Sequence, residues 1–319
     1  MYKGLRGLFF IGSIFAAGSA RAQLSGTLAN GQYGLQAGTQ ASESLVVSAF
    51  VYDFVATSIV GPNGNTLGGS GSSNVLAAPG LNLWWVTPLK ILGANYAVAL
   101  AMWGSSSSID YPRLDVTTSS YGFGDMYFKP FELGWHTTYV DAISGFGLYF
   151  PTGRYTPGAN NNSGLGQWGY EFSAGATAWF DKKHSFNLAT LALYDLYSPK
   201  TGGPVGPQQT NLQTGNTFSL QGGLGYQMLG GGLNVGIPFF LQWKVTEDTL
   251  PPGTLPAGVL AQIQGAKSFS VGLGAEAALF WSETDGIDLR WVQSFAGKNT
   301  ADGPTFFVFY NHLFYFTKK

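Results

Sequence analysis

Residues Gly232–Val245 read GLNVGIPFFLQWKV, and alternate positions in this stretch differ in chemistry. Leu233, Val235, Ile237, Phe239, Leu241 and Trp243 form one set. Asn234, Gly236, Pro238, Phe240, Gln242 and Lys244 form the other. Successive side chains of a strand point to opposite faces, so a period of two predicts a strand with one greasy and one largely polar face. The pattern recurs on both sides. Over 218–228, Phe218, Leu220, Leu224, Tyr226 and Met228 oppose Ser219, Gln221, Gly223, Gly225 and Gln227. Trp168, Tyr170, Phe172 and Phe180 oppose Glu171, Ser173 and Thr177, and Phe269, Val271, Leu273, Leu279 and Trp281 oppose Ser268, Ser270 and Glu276. Each run covers ten to fifteen residues. Soluble strands usually have about five or six residues, whereas a tilted strand crossing a bilayer needs about nine to eleven.

The connections alternate as well. Gly230-Gly231, Asp181–His184 and Glu283–Gly286 are tight turns, and between them lie long polar stretches near 59–78, 105–120, 152–166, 198–215 and 246–264. Short turns on one side and long loops on the other are the habit of outer-membrane barrels. Counting outward from 232–245 predicts about twelve strands, near 45–57, 80–87, 94–104, 122–134, 138–150, 167–180, 185–197, 216–228, 232–245, 267–282, 286–296 and 305–316. Hydrocarbon offers no partner to an open strand edge, so such strands must close into a ring. The fold class read from the sequence is therefore all-β, a transmembrane antiparallel up-and-down barrel. Both chain ends fall on the side of the short turns, which is the periplasmic side in such barrels.

Composition narrows the function. Of 319 residues only 10% are charged, against about 25% in ordinary soluble domains, while 15% are aromatic. The formal charge is −1 with no Lys/Arg cluster, which argues against a nucleic-acid partner. With no Cys, disulfides, thiolate metal sites and cysteine nucleophiles are excluded. His136, His184 and His312 sit in no catalytic constellation, and His184 reads as a solvated turn residue. Neither an enzyme nor a bound cofactor or metal is expected.

Three segments are expected. In residues 1–22, Lys3 and Arg6 precede the apolar run Leu8–Ala17 and the small-x-small site Ala20-Arg21-Ala22, the layout of a secretory signal peptide. Residues 23–44 are polar and glycine-rich, either a periplasmic tail or a plug folded into the lumen. Residues 45–319 form the barrel.

Carrying the alternation through places Asp125, Lys129, Asp141, Glu171, Asp195, Lys244, Glu276, Asp288 and Arg290 on the inner face, with Phe240, Leu191 and Leu193 beside them. The charges either brace the ring in pairs or line a path for solute. Eight strands leave an interior filled by side chains and sixteen an open channel, so at twelve the inward residues decide what passes. Arg154 and Tyr155 fall where the fifth strand becomes a long loop and are candidates for an entrance.

Three stretches carry a family resemblance: YGFGDMYFKPFELGW (Tyr121–Trp135), FPTGRYTPGANNNSGLGQWGYEFSAGATAWFD (Phe150–Asp181), and GNTFSLQGGLG from Gly215 followed by the strand at 231–248. Together they resemble the bacterial outer-membrane transporter family named for the meta-cleavage pathway of phenol degradation. The resemblance implies uptake of small hydrophobic or aromatic compounds across the outer membrane by passive diffusion. It implies as partners membrane lipid, lipopolysaccharide, the solute itself and the barrel-insertion machinery, and supplies no catalytic residues. A general diffusion porin, or a structural or adhesive barrel with a blocked lumen, is the alternative. One departure is the C-terminus, where Phe316 is followed by Thr317-Lys318-Lys319 instead of ending the chain.

Overall fold

The computed structural model describes residues 29–67, 72–111, 116–156, 159, 161–200, 212–249 and 267–316. The expected signal peptide, residues 23–28 and the last three residues lie outside the described residues.

Among the described residues sixteen strands follow in chain order: β1 (Ser44–Ala56), β2 (Ser58–Val60), β3 (Thr66–Leu67), β4 (Ser72–Ile91), β5 (Ala94–Tyr111), β6 (Val116–Phe123), β7 (Met126–His136), β8 (Val140–Phe150), β9 (Gly169–Trp179), β10 (Phe186–Tyr197), β11 (Thr217–Met228), β12 (Leu233–Lys244), β13 (Phe269–Phe280), β14 (Asp285–Lys298), β15 (Thr300–Asp302) and β16 (Pro304–Phe314). Twelve of them form a closed antiparallel ring in the order β4-β1-β16-β14-β13-β12-β11-β10-β9-β8-β7-β5, shut by the β4–β5 pairing. β6 continues the line of β7 along β5, and β15, β2 and β3 make a small sheet beside the ring. All neighbours around the ring are sequential hairpins except β16, which returns to β1, Leu45 facing Phe314. The all-β barrel expected from the alternation is the fold observed.

The two faces separate as the sequence requires. Large apolar side chains exposed on the outside include Phe172, Leu188, Leu224, Ile237, Leu273, Leu289 and Val308. Aromatics gather near both rims: Trp168, Tyr170, Trp243 and Phe295 toward the loops, Phe180, Phe186, Trp281 and Phe314 toward the turns. Trp281 is 59% exposed and Phe295 62%. Burying aromatics in water's place is worth roughly 25 cal/mol per Å2, so a wall this apolar needs lipid around it, and rim aromatics suit its interface.

Three details differ from the sequence reading. The stretches 59–78 and 105–120 are not wholly loop, because β4 begins at Ser72, β5 reaches Tyr111 and β6 begins at Val116. Ser and Thr look like loop by composition, yet cross-strand pairing satisfies their backbone, and Ser107 Oγ bonds Ser120 Oγ at 2.8 Å. Second, β4 and β5 are joined by a two-residue turn at Leu92 and Gly93, both at positive φ (53° and 79°), the geometry whose twist matches a hairpin. Third, His184 is not simply solvated. Its ring stacks on Trp179 at 4.4 Å with a 10° interplanar angle.

Candidate functional site in the barrel interior

The inner face is built from alternate residues of long strands, and it is dense with buried polar groups. Asp125, Lys129, Asp141, Glu171, Asp195, Lys244, Glu276 and Arg290 are all buried there, as is Phe240. Asp288 lies on the same face and accepts from Arg290 Nη2 at 2.7 Å.

In the loop-side half of the wall Glu171 is fully buried and receives the hydroxyls of Tyr127 at 2.6 Å and Tyr149 at 3.2 Å. Asp195 stands opposite it in the β9–β10 register and accepts from Tyr197. Lys129 pairs with Glu132 at 3.2 Å and lies 4.0 Å from Glu171. Alternation from Lys129 would turn Glu132 outward. A bulge between Phe128 and Phe131 instead inserts a residue, so Lys129 and Glu132 both face in. Pro130 lies inside this irregularity, and a proline within a strand is the signal that could have announced it.

At the turn-side end, Arg290 Nε donates to Glu276 at 2.6 Å, and its Nη1 reaches the carbonyls of Gly31 (3.1 Å) and Gln32. The guanidinium also lies 5.8 Å from the rings of Phe307 and Phe309. Residues 29–43 thread between such groups. Gln221 accepts from Tyr33 N and donates to Ala29 O. Glu276 accepts from Leu35 N, and Asn187 donates to Leu35 O. Thr39 donates to Asp141, and Gln40 to Glu132. These partners belong to β7, β8, β10, β11, β13 and β14, an arc of the ring that only a segment inside it can span. Backbone at Gly38 passes so close to Ala176 that a Cβ there would overlap it.

Toward the loops lies a second set of contacts. Lys244 Nζ pairs with Asp248 at 2.8 Å, and Asp248 also accepts from Gly215 N. Thr214 donates to Gln167 at 2.8 Å. Asp125 accepts from Gly153 N and Leu165 N, pinning the loop after β8. Lys200 donates to Leu165 O and lies 5.2 Å above the Tyr155 ring. Arg154 is exposed and holds the carbonyls of Asn161 and Tyr121, so it braces its own loop against β6. Asp248, Lys200 and Glu132 escaped the sequence reading, the first two because they sit in loops, where no periodicity assigns a direction.

Burial pulls the Lys200 ammonium down to about 8, helped by nearby Lys244 and opposed by Asp125 and Asp248. Below pH 8 lysine is charged folded and unfolded alike, and the burial penalty is felt in full. Between about 8 and its ordinary 10.5 the unfolded chain holds the proton that the folded one has lost, so stability rises with pH across that window. The heat-unfolding midpoint of the detergent-solubilised protein should rise from pH 7.5 to 9.5, and Lys200→Met should remove the Lys200 share of that rise.

Residues 56–309 match the protein family described as "Putative MetA-pathway of phenol degradation". The chain belongs to this family. The matched span runs from the end of β1 into β16 and leaves out the internal segment 29–43. Among solved structures, this family member is similar to an outer membrane channel from Pseudomonas putida F1, with a TM-score of 0.74 at 15% identity over 90% of this chain and 100% of that one. The beta domain of the Bordetella autotransporter BrkA gives a TM-score of 0.49 at 14% identity, covering 86% and 100%. A Pseudomonas aeruginosa FadL homologue gives 0.41 at 9%, covering 85% and 90%. The first likeness confirms the barrel fold of the family member. A search of curated protein sequences returned no match.

Proposed function

We propose that this protein is an outer-membrane channel, not an enzyme, that admits small hydrophobic or aromatic compounds by passive diffusion. The observation carrying the reading is what fills the lumen. Wall side chains do not fill it alone; residues 29–43 of the same chain lie in it, held by polar contacts from one side chain on each of six strands. A ring of twelve strands is wide enough to hold a peptide, and so to pass a solute once that peptide moves. Apolar inner residues Leu191, Leu193 and Phe240 favour a greasy solute over an ion. The similarity to an outer membrane channel and the family description point the same way. On this reading Asp125, Lys129, Glu171, Asp195, Phe240, Lys244, Glu276 and Arg290 line the path, and Tyr155 and Arg154 stand at its mouth.

Proteoliposomes test the reading by uptake of radiolabelled toluene alongside planar-bilayer ion current. Saturable toluene uptake with small ion current supports it. Large, unselective ion current unaffected by toluene means a general porin, and neither uptake nor current means a structural barrel; either result overturns it.

A further inference from the structure

We infer, building on the channel reading, that the inner wall beneath Tyr33–Ala37 is a binding trough for a single small aromatic hydrocarbon, and that these residues occupy it as a built-in surrogate. Most inward positions around the ring are polar, but here apolar ones stand between them. Ile143 on β8 and Leu191 on β10 both face Gly175 across β9, with Ala189 and Leu193 above and below Leu191. Beyond β10 several inward positions are small or bare: Ala189 faces Gly223, Gly223 faces Pro238, and Gly225 faces Gly236. An aliphatic flank therefore meets a narrow strip of bare backbone at Gly223 and Gly236, wide enough for one planar ring and bordered by Gln221 and by the amide oxygens of Asn187 and Asn234 over Gly225.

The segment fills this trough with its own apolar groups. Leu35 is fully buried, and its Cδ2 lies 2.7 Å and 2.8 Å from where Cβ atoms would stand on Gly223 and Gly236. Ala37 joins the aliphatic cluster, and the Tyr33 ring packs against it. What holds the segment is mostly polar and lies at the backbone, through Gln221, Asn187 and Glu276. Grip and filling are thus separate. A hydrocarbon can replace the filling without replacing the hydrogen bonds, and the surrounding carboxylates disfavour an anionic solute in the same place.

Crystals of the full-length protein and of Leu35→Ala, soaked in bromobenzene and read by bromine anomalous scattering, test the inference. Leu35→Ala should show a bromine peak in van der Waals contact with Gly223, Gly236 and Leu191; absence of that peak overturns it. Photolabelling of the unaltered protein with an aryl diazirine, located by peptide mass spectrometry, keeps the test open if the variant does not assemble. Saturable labelling at Ala189 and Leu191, suppressed by excess toluene, supports the trough. Labelling confined to the outward Leu188 overturns it. A bromine peak without toluene uptake would retain the trough and retire the channel; uptake without a peak would do the reverse.

Discussion

With Gly31→Cys and Val292→Cys joined by a disulfide, toluene uptake collapses and returns on reduction. The chain has no cysteine of its own, so this pair forms without competitors. A Cβ built on Gly31 lies 3.2 Å from Val292 Cβ, slightly under the roughly 3.8 Å of a relaxed disulfide. Gly31 has φ 77°, so a side chain there costs about 1 kcal/mol of backbone strain. Against that, the link ties the far end of the internal segment to β14 while its near end continues into β1. A cross-link of this kind is worth about 2–4 kcal/mol, roughly 30- to 900-fold in the ratio of docked to undocked segment. Uptake by the oxidised form should fall by that order, and the reduced double variant serves as the control. Undiminished uptake in the oxidised form would mean that solute passes without moving residues 29–43.

Arg290→Met should act in the opposite sense. Its guanidinium pairs with both Glu276 and Asp288 and holds two carbonyls of the segment. Removing one member of a buried pair and leaving the other charged costs about 3–5 kcal/mol. The strand ladders on either side of Arg290 remain intact, so the cost falls first on the docked segment. Ion current and toluene uptake should both rise, and residues 29–43 should become open to protease. Adding Glu276→Gln removes one of the two stranded carboxylates, and its amide oxygen can still accept from Leu35 N, so part of the docking should return. Unchanged current and unchanged protease resistance in Arg290→Met would show that the guanidinium does not hold the segment.

The barrel could be read from the chain because its physics is local. An outward Phe172 and an inward Glu171 follow from their places in an alternating run, and each strand carries its own record. Alternation gives no direction where the ladder itself is irregular: one bulge near Pro130 turns Glu132 to the inner face together with Lys129. The contents of the lumen were much less legible. Residues 29–43 have turns and little regular structure, and their bonds reach partners such as Glu276 and Arg290, more than 200 positions away. No periodicity encodes such contacts. Loop residues Lys200 and Asp248 were hidden for the same reason, since a loop gives no rule for where a side chain turns.

The β1–β16 seam bears on how the molecule is made. Ser48 bonds Asn311 across 263 positions, while every other junction in the ring joins strands adjacent in the chain or separated by one short excursion. Hairpins can assemble one after another as the polypeptide emerges, but they yield only a curling sheet with two raw margins. Sealing waits for the final strand, and distant pairings are the slow ones. Until then those margins need a chaperone or a lipid-side template, so a chain cut short before β16 should be cleared instead of stored.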